Sequence, residues 1–324
     1  MTVLADPAAR GWDFPRAVAG VALLVRHGRS RGVPAEAALA GSGLAAEDLL
    51  ARDPAPEVTA AQELRVVRNL VRHLGPDAGA EVGRAYRAET FGAFGYALVA
   101  SRTVLDAVDL ALRFIDLSFT FAIPRAAVVG DRVVATVDAG GLPADVRAFL
   151  LARDATAIHT VLADLVPGGV GADLVVGERT ATLSFAATEL ARPLPTGDAR
   201  SLAVARSVCA EAARRRRERP GTVADVRVLV TQQLVHGAPM AVVAAGLGLS
   251  ERTLRRRLAA AGTSYRAVVE EVRAGLACSL LAGPATMPVA GLAQRLGYAD
   301  ATSFGLAFRR WTGTSPAAYA RAAR

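Results

Sequence analysis

Ala244-Ala245-Gly246-Leu247-Gly248-Leu249-Ser250-Glu251-Arg252-Thr253-Leu254-Arg255-Arg256-Arg257-Leu258 reads as a helix end, a sharp turn and a second helix, and its framework recurs 49 residues later. Ala244, Leu247, Gly248 and Leu249 return as Ala293, Leu296, Gly297 and Tyr298. After one inserted residue, Leu254 and Leu258 return as Phe304 and Phe308. A small residue at 244 or 293 lets two helices cross closely, and glycine at 248 or 297 supplies a turn with positive φ. Ser250 and Asp300 suit the N-cap of the second helix in each copy, because a short oxygen-bearing side chain accepts from free N–H groups of the first turn. The pattern predicts two helix-turn-helix units.

The second helix of the first unit has two unlike faces. With Leu254 set at 0° and about 100° per residue, Leu258 stays on the core side, whereas Arg252, Arg255 and Arg256 fall at about 160°, 100° and 200°. A guanidinium donates two bonds to guanine O6 and N7, so this face has the chemistry of a major-groove base reader. Arg257 lies nearer the core edge and is placed for a phosphate, and Ser250 at the helix start joins the DNA-contact candidates. In the second copy the outward positions are Thr302, Gly305, Leu306 and Arg309, of which only Thr302 and Arg309 can hydrogen-bond. The first unit is therefore expected to carry most discrimination, and the second to add phosphate contacts, shape readout or contact with a thymine methyl. A merely solvated basic face is the competing reading.

Between the units, Tyr265 to Leu281 reads as one helix after Ser264, with Val268, Val269, Val272, Leu276 and Leu280 as its apolar side. Its length of about 25 Å makes a stiff spacer. One DNA turn is about 34 Å, so a single chain can reach two successive major-groove segments. Ser315-Pro316 starts a last short helix, with proline at its first position.

Charge separates the two halves. The 324-residue chain is 52% hydrophobic, and all 38 of its basic residues are arginine, against 30 carboxylates. Residues 1–199 hold 19 arginines and 23 Asp or Glu, whereas residues 200–324 hold 19 arginines and only 7 Asp or Glu. A basic module of this kind faces a polyanion. The run Arg214-Arg215-Arg216-Arg217-Glu218-Arg219 ends at Pro220-Gly221, which marks the module's boundary. An arginine run at a helix end is favoured by the macrodipole, so phosphate contact there competes with plain solvation.

The front half mixes helices and strands. Helices are predicted at Pro15–His27, after the Thr59/Gln62 capping box up to Gly75, and at Thr103–Phe114. Phe91 to Tyr96 reads as a loop rich in glycine and aromatics. Phe119–Val129 and Arg132–Val137 flank a tight turn at Gly130-Asp131, a helix covers Ala144–Leu165, and a second hairpin is placed at Ala172–Val176 and Thr180–Phe185. The fold class is thus multidomain: an α+β front domain with a mainly antiparallel sheet, and an all-α back domain with two helix-turn-helix units joined by a linker helix. The expected boundaries are 1–199 for a regulatory domain, 200–221 for a linker helix and basic hinge, and 222–324 for the DNA-binding domain.

The back half resembles the AraC/XylS family of bacterial transcription regulators. The resemblance runs over Val223 to Arg321 and rests on Gly248-Leu249-Ser250, Leu254 to Leu258, Gly262-Thr263-Ser264-Tyr265, Arg273, Leu296-Gly297-Tyr298, and Phe308-Arg309-Arg310-Trp311-Thr312-Gly313-Thr314-Ser315-Pro316. It implies a seven-helix module that binds double-stranded DNA, with Arg252, Arg255 and Arg256 at the positions of the first set of base readers. Leu306 stands where the family often has arginine. The front half is similar to the effector domain labelled arabinose-binding-like in one branch of that family, through Phe91-Gly92, Gly95-Tyr96-Ala97-Leu98, Ser101, Leu105, Ala107 and Leu190 to Pro195. Between about Val166 and Asp173 the chain is shorter than that pattern.

A regulator of this kind needs two states and a ligand that binds one of them better. Phe91, Phe94, Tyr96 and Phe121 are the candidates for an apolar pocket, and Arg113 or Arg153 for pairing an acid group. An organic acid or a largely apolar metabolite is the expected effector, and the competing reading makes these residues ordinary core and surface. RNA polymerase is a further partner if the protein activates, and a homodimer is open.

Other classes find little support. Cys209 and Cys278 give no disulfide framework, and His27, His73, His159 and His236 are scattered, so neither metal nor cofactor is expected. There is no nucleophile elbow, phosphate cradle or histidine pair at metal spacing. No apolar run approaches the roughly 20 residues of a membrane span, and no leader pattern opens the chain, so a cytoplasmic location is expected. Two alternatives stay open: a front half that only dimerises, and an enzymatic front domain fused to the DNA-binding module.

Overall fold

The structure is a computed structural model that describes residues 4–8, 12, 14–50, 56–217, 221–283 and 287–322. The chain divides into two compact units, 1–51 with 58–218, and 52–57 with 219–324.

The front unit sets helices around a four-stranded antiparallel sheet. In space the strands run Ile123–Val129, Arg132–Asp138, Thr180–Ala186, Asp173–Val176, so the two predicted hairpins share the pair Arg132–Asp138 and Thr180–Ala186 at the sheet centre. Gly130, at φ +62°, makes the first turn. Val133, Val137, Ala181, Leu183 and Phe185 alternate onto the buried face, as a half-buried sheet requires. The helices Val104–Arg113 and Ala144–Leu165 supply apolar residues to the cores on which that face packs.

The helix Ala60–Leu74 follows its local signals closely. Thr59 Oγ1 accepts from Gln62 N at 3.1 Å, Gln62 Oε1 accepts from Thr59 N at 2.9 Å, and Gly75 ends the helix at φ +80°.

Four front-half expectations shift. The first helix is Ala19–Ser30 rather than starting at Pro15, because Arg16 sits in extended backbone with its buried guanidinium bonded to the carbonyls of Trp12, Phe14 and Phe119. The first long strand starts at Ile123 rather than Phe119. Asp154 Oδ2 takes the N–H groups of Phe121 at 2.7 Å and Ala122 at 2.8 Å, which removes them from any ladder. The Phe91–Tyr96 segment is not a loop: Phe91 closes a 3-10 turn, and Gly92, at φ +55°, leads into a helix over Ala93–Val99. The Ala199–Arg217 helix, expected as a linker, packs Leu202, Ala205 and Cys209 into the front core. Residues 218–220 and the side chains of Arg215–Arg217 lie outside the described residues, so the arginine run beyond Arg214 has no structural account.

Among the described residues the back unit has seven α-helices: Thr222–Gln233, Met240–Gly246, Glu251–Ala260, Tyr265–Ala282, Val289–Arg295, Ala301–Thr312 and Pro316–Ala322. The sequence repeat is also a hydrogen-bond repeat. Leu249 N donates to Ala244 O at 2.9 Å, and Tyr298 N donates to Ala293 O at 2.9 Å. Gly248 and Gly297 take φ +65° and +74°. Leu254, Leu258, Phe304 and Phe308 meet in one core with Ala244 and Ala293.

Candidate DNA interface and effector cavity

Each helix-turn-helix presents its second helix through a cap and an apolar stripe. In the first, Ser250 Oγ accepts from Thr253 N at 3.2 Å and starts the Glu251–Ala260 helix. Leu254 and Leu258 hold that helix down, and Arg252, Arg255, Arg256 and Arg257 are all exposed on its other sides. Arg255 Nη2 donates to Glu251 Oε2 at 3.1 Å, an exposed pair one helical turn apart that a phosphate or base edge can displace at little cost. Ser250→Ala is expected to cost about 0.5–2 kcal/mol by loss of the cap, read as a lower denaturation midpoint of the back unit.

In the second copy Asp300 Oδ1 accepts from Ser303 N at 2.7 Å. That bond, with a second from the Ser303 hydroxyl, holds the Asp300 carboxyl below its ordinary pKa. Phe304 and Phe308 face the core, Thr302 and Arg309 face solvent, and Leu306 is 68% exposed. The outward surface is therefore less cationic than that of the first copy.

The Tyr265–Ala282 helix is bonded to the segment ahead of the first unit and to the turn of the second. Near its start, Tyr265 Oη donates to Ala238 O at 2.8 Å, just ahead of the first unit, and burial pushes this phenol's pKa up to about 12. Eight residues on, Arg273 Nε donates to Leu296 O at 2.9 Å at the turn of the second unit, and the guanidinium lies 4.8 Å from the Tyr298 ring centroid.

The front unit contains a cavity of about 150 Å³ between the sheet and the helices Val104–Arg113 and Ala144–Leu165. Of the six predicted effector contacts, it brings together only Phe91 and Phe94. Tyr96 points outward and is 54% exposed, and Arg113 is exposed and paired with Asp109 at 2.6 Å. Phe121 is buried outside the cavity wall, with the Arg16 guanidinium 4.1 Å from its ring centroid. Arg153, 1% exposed, is committed to the fold: Nη1 pairs with Glu63 Oε1 at 2.8 Å, Nη2 with Asp154 Oδ1 at 2.7 Å, and Nη2 also donates to Phe119 O at 2.9 Å. Burial is the largest single influence and opposes its charge, but Asp154, Tyr86 and Glu63 together outweigh it and raise the guanidinium pKa further. Among the described residues no arginine lines the cavity.

Comparison with known proteins follows this division. Residues 32–176 match the arabinose-binding domain found at the N-terminus of AraC transcription regulators, and residues 243–322 match a helix-turn-helix domain. Over 327 aligned residues the chain is 31% identical to the HTH-type transcriptional regulator Rv1395 of Mycobacterium tuberculosis, covering 92% of this chain and 94% of that one. The chain belongs to the AraC/XylS family of transcription regulators. It is also 46% identical over 69 residues to the HTH-type transcriptional regulator VqsM of Pseudomonas aeruginosa, 21% of each chain. Its structure is similar to that of the transcriptional regulator CdpR from the same species, with a TM-score of 0.47 at 24% identity, over 94% of this chain and 98% of that one. This AraC-type regulator is a DNA-binding protein and not an enzyme. No helix among its described residues is long and apolar enough to cross a membrane.

Sequence reasoning missed two features of the front unit. One is the buried quartet Arg16, Glu63, Arg153 and Asp154, for which Glu63 on the apolar side of the Ala60–Leu74 helix was an available signal. The other is Tyr86 in the cavity wall, which no spacing singles out.

Proposed function

We propose that this protein reads a specific operator in the cytoplasm through the first helix-turn-helix and adjusts that binding to a small molecule held in its front unit. Arg252, Arg255 and Arg256 contact base edges in the major groove, Arg257 and Arg309 reach phosphates, and Ser250 and Thr302 contact the DNA at the starts of the two helices. Leu306 favours thymine methyl contact in the second half of the site. The observation that carries this reading is the exposed arginine trio on a helix whose opposite side is fixed by Leu254 and Leu258. The apolar cavity supports a sensing front unit over one that serves dimerisation alone. Where the protein activates transcription, RNA polymerase is its further partner, and a homodimer forms through the front unit.

The test selects duplexes from a random pool with the full chain, then titrates selected and scrambled duplexes by fluorescence anisotropy. Arg255→Ala is expected to lose about 1–3 kcal/mol on the selected duplex and to relax preference at one base pair, with little change on the scrambled one. Equal losses on both would make Arg255 a phosphate contact, and a pool that yields no preferred sequence would overturn the reading.

A further inference from the structure

We propose that the front-unit cavity takes a small, uncharged, largely apolar compound, about the size of one substituted aromatic ring, whose acceptor oxygen is held by the Tyr86 hydroxyl. The inference rests on the sensing role given above and specifies the chemistry of what is sensed.

Size comes first. The cavity measures about 150 Å³, and an engineered apolar cavity of similar volume holds benzene. Its aromatic wall suits a ring: Phe91 stacks on Phe119 at 5.1 Å and on Tyr86 at 5.7 Å between centroids, and meets Phe94 edge-on at 5.9 Å.

Charge comes next. The polar groups of the wall are Ser118, Thr120, Asp154 and Tyr86, with no basic residue among them. The cations behind the wall are engaged, Arg153 with Glu63 and Asp154, and Arg16 with Glu63 at 3.6 Å. A carboxylate entering here would lose its water, meet the Asp154 carboxylate and find no free guanidinium.

Hydrogen bonding then selects the handle. Ser118 Oγ donates to Ile115 O at 2.6 Å and accepts from Thr120 N at 3.2 Å. Thr120 Oγ1 lies 2.8 Å from Ala122 O and 3.1 Å from Asp154 Oδ2, which also accepts from two backbone N–H groups. Tyr86 differs. It is 2% exposed and lines the cavity, yet its hydroxyl has no hydrogen-bond partner among the described residues. Burial pushes its pKa far above the ordinary range, so it remains a neutral O–H donor at physiological pH. A buried donor of this kind is matched by a ligand carbonyl or ether oxygen.

The experiment measures binding of three probes of one shape, ethylbenzene, acetophenone and benzoate, to the full chain by isothermal titration. Acetophenone is expected to bind about three- to tenfold more tightly than ethylbenzene, the worth of one net hydrogen bond, and benzoate to show no binding. In Tyr86→Phe the preference disappears while ethylbenzene affinity is unchanged, and the unfolding temperature does not fall because the deleted hydroxyl had no partner. Equal binding of the two neutral probes, binding of benzoate, or a preference that survives Tyr86→Phe would overturn the ligand chemistry and leave a sensing cavity standing. A Tyr86→Phe chain that melts lower or fails to fold would overturn it too, by revealing a structural partner for the hydroxyl. Binding of none of the probes also overturns it. The sensing role itself is then judged separately, by whether any of a panel of metabolites changes affinity for the selected duplex.

Discussion

Arg153→Met is expected to destabilise the front unit by about 3–5 kcal/mol, the usual consequence of removing one partner from a buried ion pair. Methionine keeps the apolar stem of Arg153 as far as Nε, so the loss combines the missing charge with the space left by the buried guanidinium. Arg153 lies between Glu63 and Asp154, with contacts of 2.8 and 2.7 Å, and all three are almost wholly buried. Without it Glu63 keeps Arg16, at 3.6 Å, as its cation among the described residues, while Asp154 keeps its N–H donors but loses its cation. Urea denaturation of the full chain, followed through a front-unit probe such as Trp12 fluorescence, gives the number. The double variant Arg153→Met with Asp154→Asn is expected to recover part of the loss, since Arg16 and Glu63 stay paired while the charge left without its cation also goes, and an amide oxygen can still accept from the Phe121 and Ala122 N–H groups. A single variant within about 0.5 kcal/mol of the parent would mean that water reaches the quartet.

Gly297→Ala is expected to cost about 2–5 kcal/mol and to disable the second helix-turn-helix. Two effects add there. A side chain at φ +74° costs about 1–2 kcal/mol in any surroundings. A Cβ at 297 would also overlap the Leu234 carbonyl oxygen, which is backbone and cannot rotate away. Gly248 separates the two effects: it has φ +65° but open space where a Cβ would go, so Gly248→Ala is expected to cost only the conformational part. Thermal denaturation of both variants checks the difference, and equal losses would show that the close approach to Leu234 yields easily.

What the sequence could and could not reveal follows from the range of the interactions. The two helix-turn-helix units were legible because each depends on neighbours within a few residues: a positive-φ glycine, a capping oxygen at Ser250 or Asp300, an apolar pair four apart. The helix Ala60–Leu74 was legible for the same reason. Sheet order was not, since nothing local says that Arg132–Asp138 pairs with Thr180–Ala186. Nor was the strand start at Ile123, because Asp154, more than thirty residues away, takes the amides of Phe121 and Ala122. The effector candidates fared worst. Aromatic residue type put Phe91, Phe94, Tyr96 and Phe121 on an equal footing, but whether each meets the cavity is decided by packing among distant segments. Arg153 looked available to a ligand because its partner Glu63 is 90 residues earlier.

The bonds that tie the Tyr265–Ala282 helix to Ala238 on one side and Leu296 on the other have an evolutionary consequence. They fix the linker helix against the segment just ahead of the first unit and against the turn of the second. Inserting one base pair between two patches of a duplex turns one of them by about 35° around the other. If both units read the operator, as proposed, the expected outcome is that its letters drift more freely than its spacing.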